Sequence, residues 1–223
     1  MQILPRAERP KRLVLLRHGR TEWNRTGRAQ GHADVLLDEV GRDQAQNAAT
    51  QLATYEPAFV WSSDLSRARE TAEQIVALTG HDIVFDKRLR EYDVGVRQGL
   101  TFEEFEEQFP ELFARLRAGQ HVDVPGAESD DEVAERMTSV LQAAARALGD
   151  QETGVVVGHG ASLRTGMLAF FDAPAELRDM IAGMANCAWA VLEQHRDRGW
   201  QIMDYNAQTL PEPQDLADDL SAR

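Results

Sequence analysis

Short unbroken apolar runs alternate with stretches of mixed character along this chain. Leu13-Val14-Leu15-Leu16 is the first run, and Gly154-Val155-Val156-Val157-Gly158 is the most regular. Runs this short, bounded by polar or glycine positions, predict buried strands. Residues 59–62 and 83–85 predict two more. Between them lie helical signals. Residues 41–54 are rich in Ala and Gln and predict a helix. The next helix is expected to be capped by Asp64 or Ser66, to run to about Thr79 and to end at Gly80. Thr101 with Glu104, and Ser129 with Glu132, have capping-box spacing. Each predicts a helix start, the second helix reaching about Leu148. A further helix is predicted over 161–170. Residues 187–192 and 200–205 flank a polar stretch and predict a hairpin.

This alternation predicts an α/β fold: a three-layer sandwich with a mostly parallel central sheet and helices on both faces. The hairpin would add an antiparallel edge. Residues 92–128 interrupt the pattern. There Phe102, Phe105, Phe109 and Phe113 recur at helical spacing, which predicts the packed side of a small helical cap subdomain. Glu103, Glu104, Glu106 and Glu107 are its expected solvated face. The expected organisation is one domain over 1–207, with 92–128 as a cap-like insertion, followed by an acidic, mobile tail over 208–223.

Composition narrows the class. Hydrophobic residues make up 43% of the 223, which suits an ordinary soluble core. No apolar run approaches the length of a membrane span. The first residues, Met1-Gln2-Ile3-Leu4-Pro5-Arg6, lack the apolar core of a secretion signal, so the expected location is cytoplasmic. Cys187 is the single cysteine, which excludes an intramolecular disulfide and a cysteine metal cluster. The formal net charge is −13, without a basic stripe, which argues against nucleic acid or an anionic membrane as partner. A small anionic substrate stays compatible, because surface charge is screened beyond about 8–10 Å while a few arginines set the field at contact.

The candidate chemistry sits at strand ends. Arg17-His18-Gly19 follows the first strand, and His159-Gly160 follows the late one. Two strands that each end in histidine and glycine imply one site at the carboxyl edge of the sheet. Arginine binds phosphate oxygens in a fork, so the expected ligand is phosphate. Positive charge beside His18 would keep it neutral, with a lone pair able to attack phosphorus; the alternative is a structural histidine beside a surface arginine. Arg67, in the first turn of the helix after the second strand, would reach the same edge, though alone it reads as a surface residue. Asn24 could donate a side-chain amide hydrogen bond. Glu91, after the third strand, could be a general acid or a salt-bridged surface acid.

Taken together these residues resemble the histidine phosphatase superfamily, also called phosphoglycerate mutase-like. Arg17-His18-Gly19-Arg20-Thr21-Glu22-Trp23-Asn24 resembles its opening motif, Ser63-Asp64-Leu65-Ser66-Arg67-Ala68 with Thr71 its second, Leu89-Arg90-Glu91 its acidic residue, and His159-Gly160 its second histidine. The resemblance spans residues 12–206. It implies that His18 is the nucleophile that becomes phosphohistidine. It implies that Arg17, Arg67 and a protonated His159 hold the phosphoryl oxygens, assisted by Asn24. Glu91 would protonate the departing alkoxide and later take a proton from water. Two arginines and a histidinium would neutralise the charge, so neither a metal nor another cofactor is expected.

The interval between Glu91 and His159 resembles that of the phosphatase branch, shorter than in the mutases. Gln30-Gly31 stands where mutases usually carry a small hydroxyl residue and glycine, and both residues are candidate substrate contacts, or simply pocket wall. Arg115 and Arg117 lie in the interval without an assigned place. Pro125-Gly126-Ala127-Glu128-Ser129, Gly183-Met184-Ala185-Asn186-Cys187-Ala188-Trp189 and Tyr205-Asn206-Ala207 resemble segments of the actinobacterial phosphatases that include glucosyl-3-phosphoglycerate phosphatases. The implied function is a phosphomonoesterase acting on a small phosphorylated metabolite. The alternatives are mutase-type phosphoryl transfer and non-catalytic binding of a phosphometabolite. Ser162 follows a strand but lacks the G-x-S-x-G elbow of a serine hydrolase, and is expected to start a helix. The terminal hairpin could join two copies into a homodimer.

Overall fold

The computed structural model of the protein describes residues 10–120, 122–174, 177 and 180–209. The tail expected over 208–223 therefore lies, from residue 210 on, outside the described residues. Six strands form one sheet: β1 (Lys11–Arg17), β2 (Phe59–Ser62), β3 (Ile83–Phe85), β4 (Thr153–Gly158), β5 (Trp189–His195) and β6 (Gly199–Ala207). Their order is β3-β2-β4-β1-β5-β6. The first four are mutually parallel, β5 runs antiparallel to β1, and β6 antiparallel to β5. The mostly parallel sheet and its antiparallel edge match the expectation.

Alternation along β1 feeds two cores. Val14 and Leu16 face α2 (Glu39–Ala53) and α3 (Ser66–Thr79), packing with Ala45, Ala48, Ala72 and Ile75. Leu13 and Leu15 face α6 (Asp130–Ala147) and α7 (Gly160–Phe170), packing with Met137, Leu141, Leu163 and Met167. A strand apolar on both faces is what a sheet covered on both sides requires. Residues 92–128 carry α4 (Phe102–Gln108) and α5 (Pro110–Arg117), joined through the ring contacts of Phe105 with Phe109 and Phe113. This segment is fastened to the loop after β1. Ala29 N–H donates to the Leu100 carbonyl at 3.0 Å and Gly99 N–H to the Ala29 carbonyl at 2.8 Å, while Arg28 forks onto Glu104. Among the described residues no helix is long and apolar enough to cross a membrane.

Helix α3 departs from expectation. Neither Asp64 nor Ser66 caps it; Leu65 holds the cap position without a side-chain hydrogen bond. Asp64 is instead forked by Arg90, at 2.7 Å for each bond. The cap comes from elsewhere in the chain: Asp34 accepts the Ser66 N–H at 2.7 Å and its hydroxyl at 2.9 Å. A short helix, α1 (Glu22–Arg25), capped by Thr21 and Asn24, precedes α2.

Helix α2 locks the turn after β1. Asp38 caps it through the Gly41 N–H at 2.7 Å and also accepts from Arg20 Nε at 2.9 Å. Backbones touch there: a Cβ on Gly41 would lie 1.9 Å from the Arg20 carbonyl oxygen, and one on Gly19 2.3 Å from that of Gly41. Helix propensity alone favours Gly41→Ala by up to about 1 kcal/mol. The close approach predicts the opposite sign, a loss of about 1–3 kcal/mol by strain. Urea unfolding of G41A measures the sign directly, and a stabilised variant would refute the contact.

Candidate active site

Strand register assembles the site. Arg17 lies opposite Gly158 in the parallel pair β1–β4, so the next residue on each strand, His18 and His159, emerges side by side. Their ring centroids are 5.1 Å apart at an interplanar angle of 61°. From this shared edge the chain leaves β1 toward α2 on one face and β4 toward α7 on the other. A crevice between adjacent strands whose helices diverge is where open α/β sheets bind ligands.

The two imidazoles are buried and hold opposite tautomers. His18 Nδ1 stands 2.7 Å from the Gly19 carbonyl oxygen. A carbonyl only accepts, so Nδ1 carries the hydrogen and Nε2 the lone pair. His159 Nδ1 lies 3.2 Å from Arg67 Nε, which only donates, and its Nε2 is 2.9 Å from Ser63 Oγ. Here the lone pair is on Nδ1 and Nε2–H donates to the serine. Burial first, then the Arg67 charge, holds both side chains well below the usual histidine range, with Arg17 adding to the effect. Burial against a guanidinium therefore disfavours the charged form of His159, which the resemblance implies for the phosphoryl-bound site.

Arg67 is fully buried. It donates to the carbonyls of Gly31 at 2.8 Å and Ala33 at 2.7 Å, besides His159. Burial lowers its pKa to about 10, Glu91 and Asp34 opposing the shift, so it stays charged at neutral pH. Arg17 is 4% exposed and donates to the Met184 carbonyl. Gly160 makes room for it, since a Cβ there would lie 3.2 Å from Arg17 Nε. Glu91 caps helix α7: Oε1 accepts from the N–H groups of Ser162 at 2.8 Å and Tyr92 at 2.9 Å, and Oε2 from Ala161 at 3.1 Å. Ser162 thus opens a helix, as expected. Asn24 Oδ1 accepts from Thr21, through both N–H and hydroxyl at 3.1 Å. Gly31 adopts a left-handed φ of 51°, and the neighbouring Gln30 Oε1 is buried without a hydrogen-bond partner among the described residues.

The structure therefore gathers Arg17, His18, Arg67, His159 and Glu91 at one edge, with Asn24 and Gly31 beside them. Two further residues belong to this arrangement. Ser63 fixes the His159 ring. Asn186 Nδ2 donates to the His18 carbonyl at 3.1 Å and reaches Asn24 Oδ1 at 3.4 Å. Both stand inside the motif segments, yet only the fold shows what they touch. Among the described residues no group of three or more His, Cys, Asp or Glu side chains could hold a metal ion. The buried positive charge at this edge is that of the guanidiniums.

The neutral imidazoles have a consequence for stability. An unfolded histidine titrates near its ordinary value of 6.5, whereas the folded pair takes up protons only at lower pH. Below about pH 6.5 the unfolded chain binds more protons, so stability is full above that value and falls as the pH drops. Urea unfolding at pH 7.5 and pH 5.5 should show this loss. It should be smaller in His18→Asn and His159→Asn; equal pH slopes in all three proteins would exclude neutral buried rings.

Residues 13–208 match the family described as histidine phosphatase superfamily (branch 1). The chain is similar to phosphoglycerate mutase-like protein 4 of Arabidopsis thaliana, 40% identical over 160 residues, covering 69% of this chain and 68% of the relative. It is similar to glucosyl-3-phosphoglycerate phosphatase of Mycolicibacterium vanbaalenii, 35% identical over 193 residues, covering 84% of this chain and 86% of the relative. Among solved structures it resembles mycobacterial glucosyl-3-phosphoglycerate phosphatase in complex with VO3, with a TM-score of 0.79 and 33% identity, covering 88% of this chain and 99% of that one. With its paired histidines set among buried arginines at one sheet edge, the chain belongs to the histidine phosphatase superfamily.

Proposed function

We propose that the protein hydrolyses a small phosphate monoester through a phosphohistidine formed on His18. The observation that carries this reading is the hydrogen bond of His18 Nδ1 to the Gly19 carbonyl, which leaves the lone pair on Nε2 of a ring that feels the charges of two buried guanidiniums, Arg67 and Arg17. Arg17 and Arg67 bind the phosphoryl oxygens, with His159 and the Nδ2 amide of Asn24 as further donors. A phosphate dianion brings negative charge against the imidazoles, which favours the protonated form that burial beside Arg67 disfavours.

The reaction then runs in two displacements. His18 Nε2 attacks phosphorus, the bond to the ester oxygen breaks, and Glu91 delivers a proton to the leaving alkoxide. Oε2 of Glu91 is suited to carry that proton, because Oε1 already accepts two N–H bonds. Glu91 next takes a proton from water, which attacks phosphorus and frees His18. Gln30 and Gly31 line the substrate side, and the buried Gln30 amide oxygen accepts a hydrogen bond from the ester. The 92–128 segment, tied to the loop after β1, acts as a cap that restricts access within a single domain. The partner in this reading is a small phosphate ester in the cytoplasm, and neither nucleic acid nor membrane.

The similarity to glucosyl-3-phosphoglycerate phosphatases motivates the finer proposal that the ester is glucosyl-3-phosphoglycerate. The test compares kcat/KM for that ester with those for 3-phosphoglycerate and glycerol 3-phosphate; no preference for the glucosyl ester removes it. Phosphoglycerate isomerisation outpacing phosphate release would instead select the mutase reading. His18→Ala should lose turnover by at least about a thousandfold while keeping the parent's circular-dichroism spectrum. Rapid quench of the parent should trap an acid-labile phosphoryl group on His18. Normal turnover in H18A would end the covalent scheme. Glu91→Gln should slow alkyl esters by about 10²–10⁴-fold and dinitrophenyl phosphate far less, because a stable leaving group needs no proton. Equal losses on both would deny Glu91 its role.

A further inference from the structure

Helix α6 sends one arginine toward the loop that carries Glu91. The Arg136 side chain is 17% exposed, and each of its N–H groups has an acceptor. Nε donates to Glu128 Oε1 at 2.8 Å, and one Nη2 hydrogen to Glu128 Oε2 at 2.8 Å. The other Nη2 hydrogen goes to the Glu91 carbonyl at 2.9 Å. Nη1 donates to the carbonyls of Arg88 at 2.8 Å and Arg90 at 2.7 Å. Three of these five bonds therefore hold the main chain that bears Glu91.

Its ion-pair partner works on the other side. Glu128 Oε2 accepts the Asp93 N–H at 2.8 Å, and the Glu128 N–H donates to the Asp93 carbonyl at 2.9 Å. One salt bridge thereby fixes the backbone before, at and after Glu91. Nothing in the scheme above uses this pair. Its donors reach the carbonyl of Glu91, while the carboxylate is held separately by the N–H groups that open α7. A planar guanidinium alone can supply this set, since an ammonium has three donors on one atom and cannot fork a carboxylate while spanning three carbonyls.

We propose that Arg136, paired with Glu128, is a positioning residue that aims the Glu91 carboxyl group at the leaving oxygen. This rests on the reading of Glu91 as proton donor. A loop free to shift by about 1 Å costs up to about 10²-fold in rate, and that cost is confined to the step that needs Glu91.

The test measures kcat for glycerol 3-phosphate and for 2,4-dinitrophenyl phosphate in the parent, E91Q, R136M, R136K, E128Q and the E91Q/R136K double variant. Vanadate affinity reports the phosphate pocket. Arg136→Lys and Arg136→Met should lower kcat on the alkyl ester by about 10–100-fold. The aryl ester should stay within about threefold of the parent, and vanadate affinity should be unchanged. In the E91Q background R136K should add almost nothing. Should R136M fail to fold, R136K and E128Q, which keep side-chain volume, carry the comparison. Equal losses on both esters, or no loss, while E91Q remains selective for the alkyl ester, overturn the positioning role alone. Loss of selectivity in E91Q itself refutes the proton-donor reading, and the positioning role falls with it.

Discussion

One buried guanidinium holds this pocket together. Arg67 is buried away from the molecular surface, so its position is stable only while its hydrogen-bond acceptors stay in place. Those acceptors come from separate parts of the chain: two carbonyls of the 31–33 loop, and His159 after β4, while the arginine itself is carried by α3. Removing one of them leaves an N–H of a buried charge unpaired, at a cost of about 1.5–3 kcal/mol. The helix after β2, the loop after β1 and the turn after β4 are therefore bound into one unit. Asp34 strengthens it by capping α3 from that same loop.

The sheet supplies the frame. Parallel pairing of β1 and β4 sets two imidazoles abreast, and nothing but the register is needed to do so. The helices that follow diverge to opposite faces, which opens a crevice instead of closing it. Glycines at 19, 41 and 160 let backbone and arginine approach where any side chain would intrude. Packing thus delivers positive charge and a free lone pair to one place, at a strand edge screened from solvent.

Much of this was legible along the chain because it is local. Apolar runs name strands, capping spacing names the starts of α4 and α6, and His-Gly after a strand names the edge. What stayed hidden depends on distant partners. Asp64 and Ser66 were suitable caps by type, but Asp64 is taken by Arg90 and the cap comes from Asp34. The charge of His159 could not follow from its neighbours in sequence, because Arg67 and complete burial are tertiary facts. Ser63 and Asn186 sat inside segments already noted for their resemblance, without anything to show which atoms they hold. Arg136 had no local signature at all, since three of its acceptors are carbonyls, which every residue type offers.

That last point reaches beyond one side chain. Gly31, Ala33, Gly19 and Met184 hold the site through main-chain oxygens, and Ala161 and Ser162 through main-chain hydrogens. Amide groups persist when the residue that carries them is exchanged. Except at positions such as Gly19 and Gly31, where a Cβ would clash, the loops around the pocket can therefore exchange side chains, and with them substrates, provided the path of the chain is kept. Such a scaffold tolerates wide drift in composition at constant shape, which suits a fold retained at a TM-score near 0.8 while only about a third of the residues are shared.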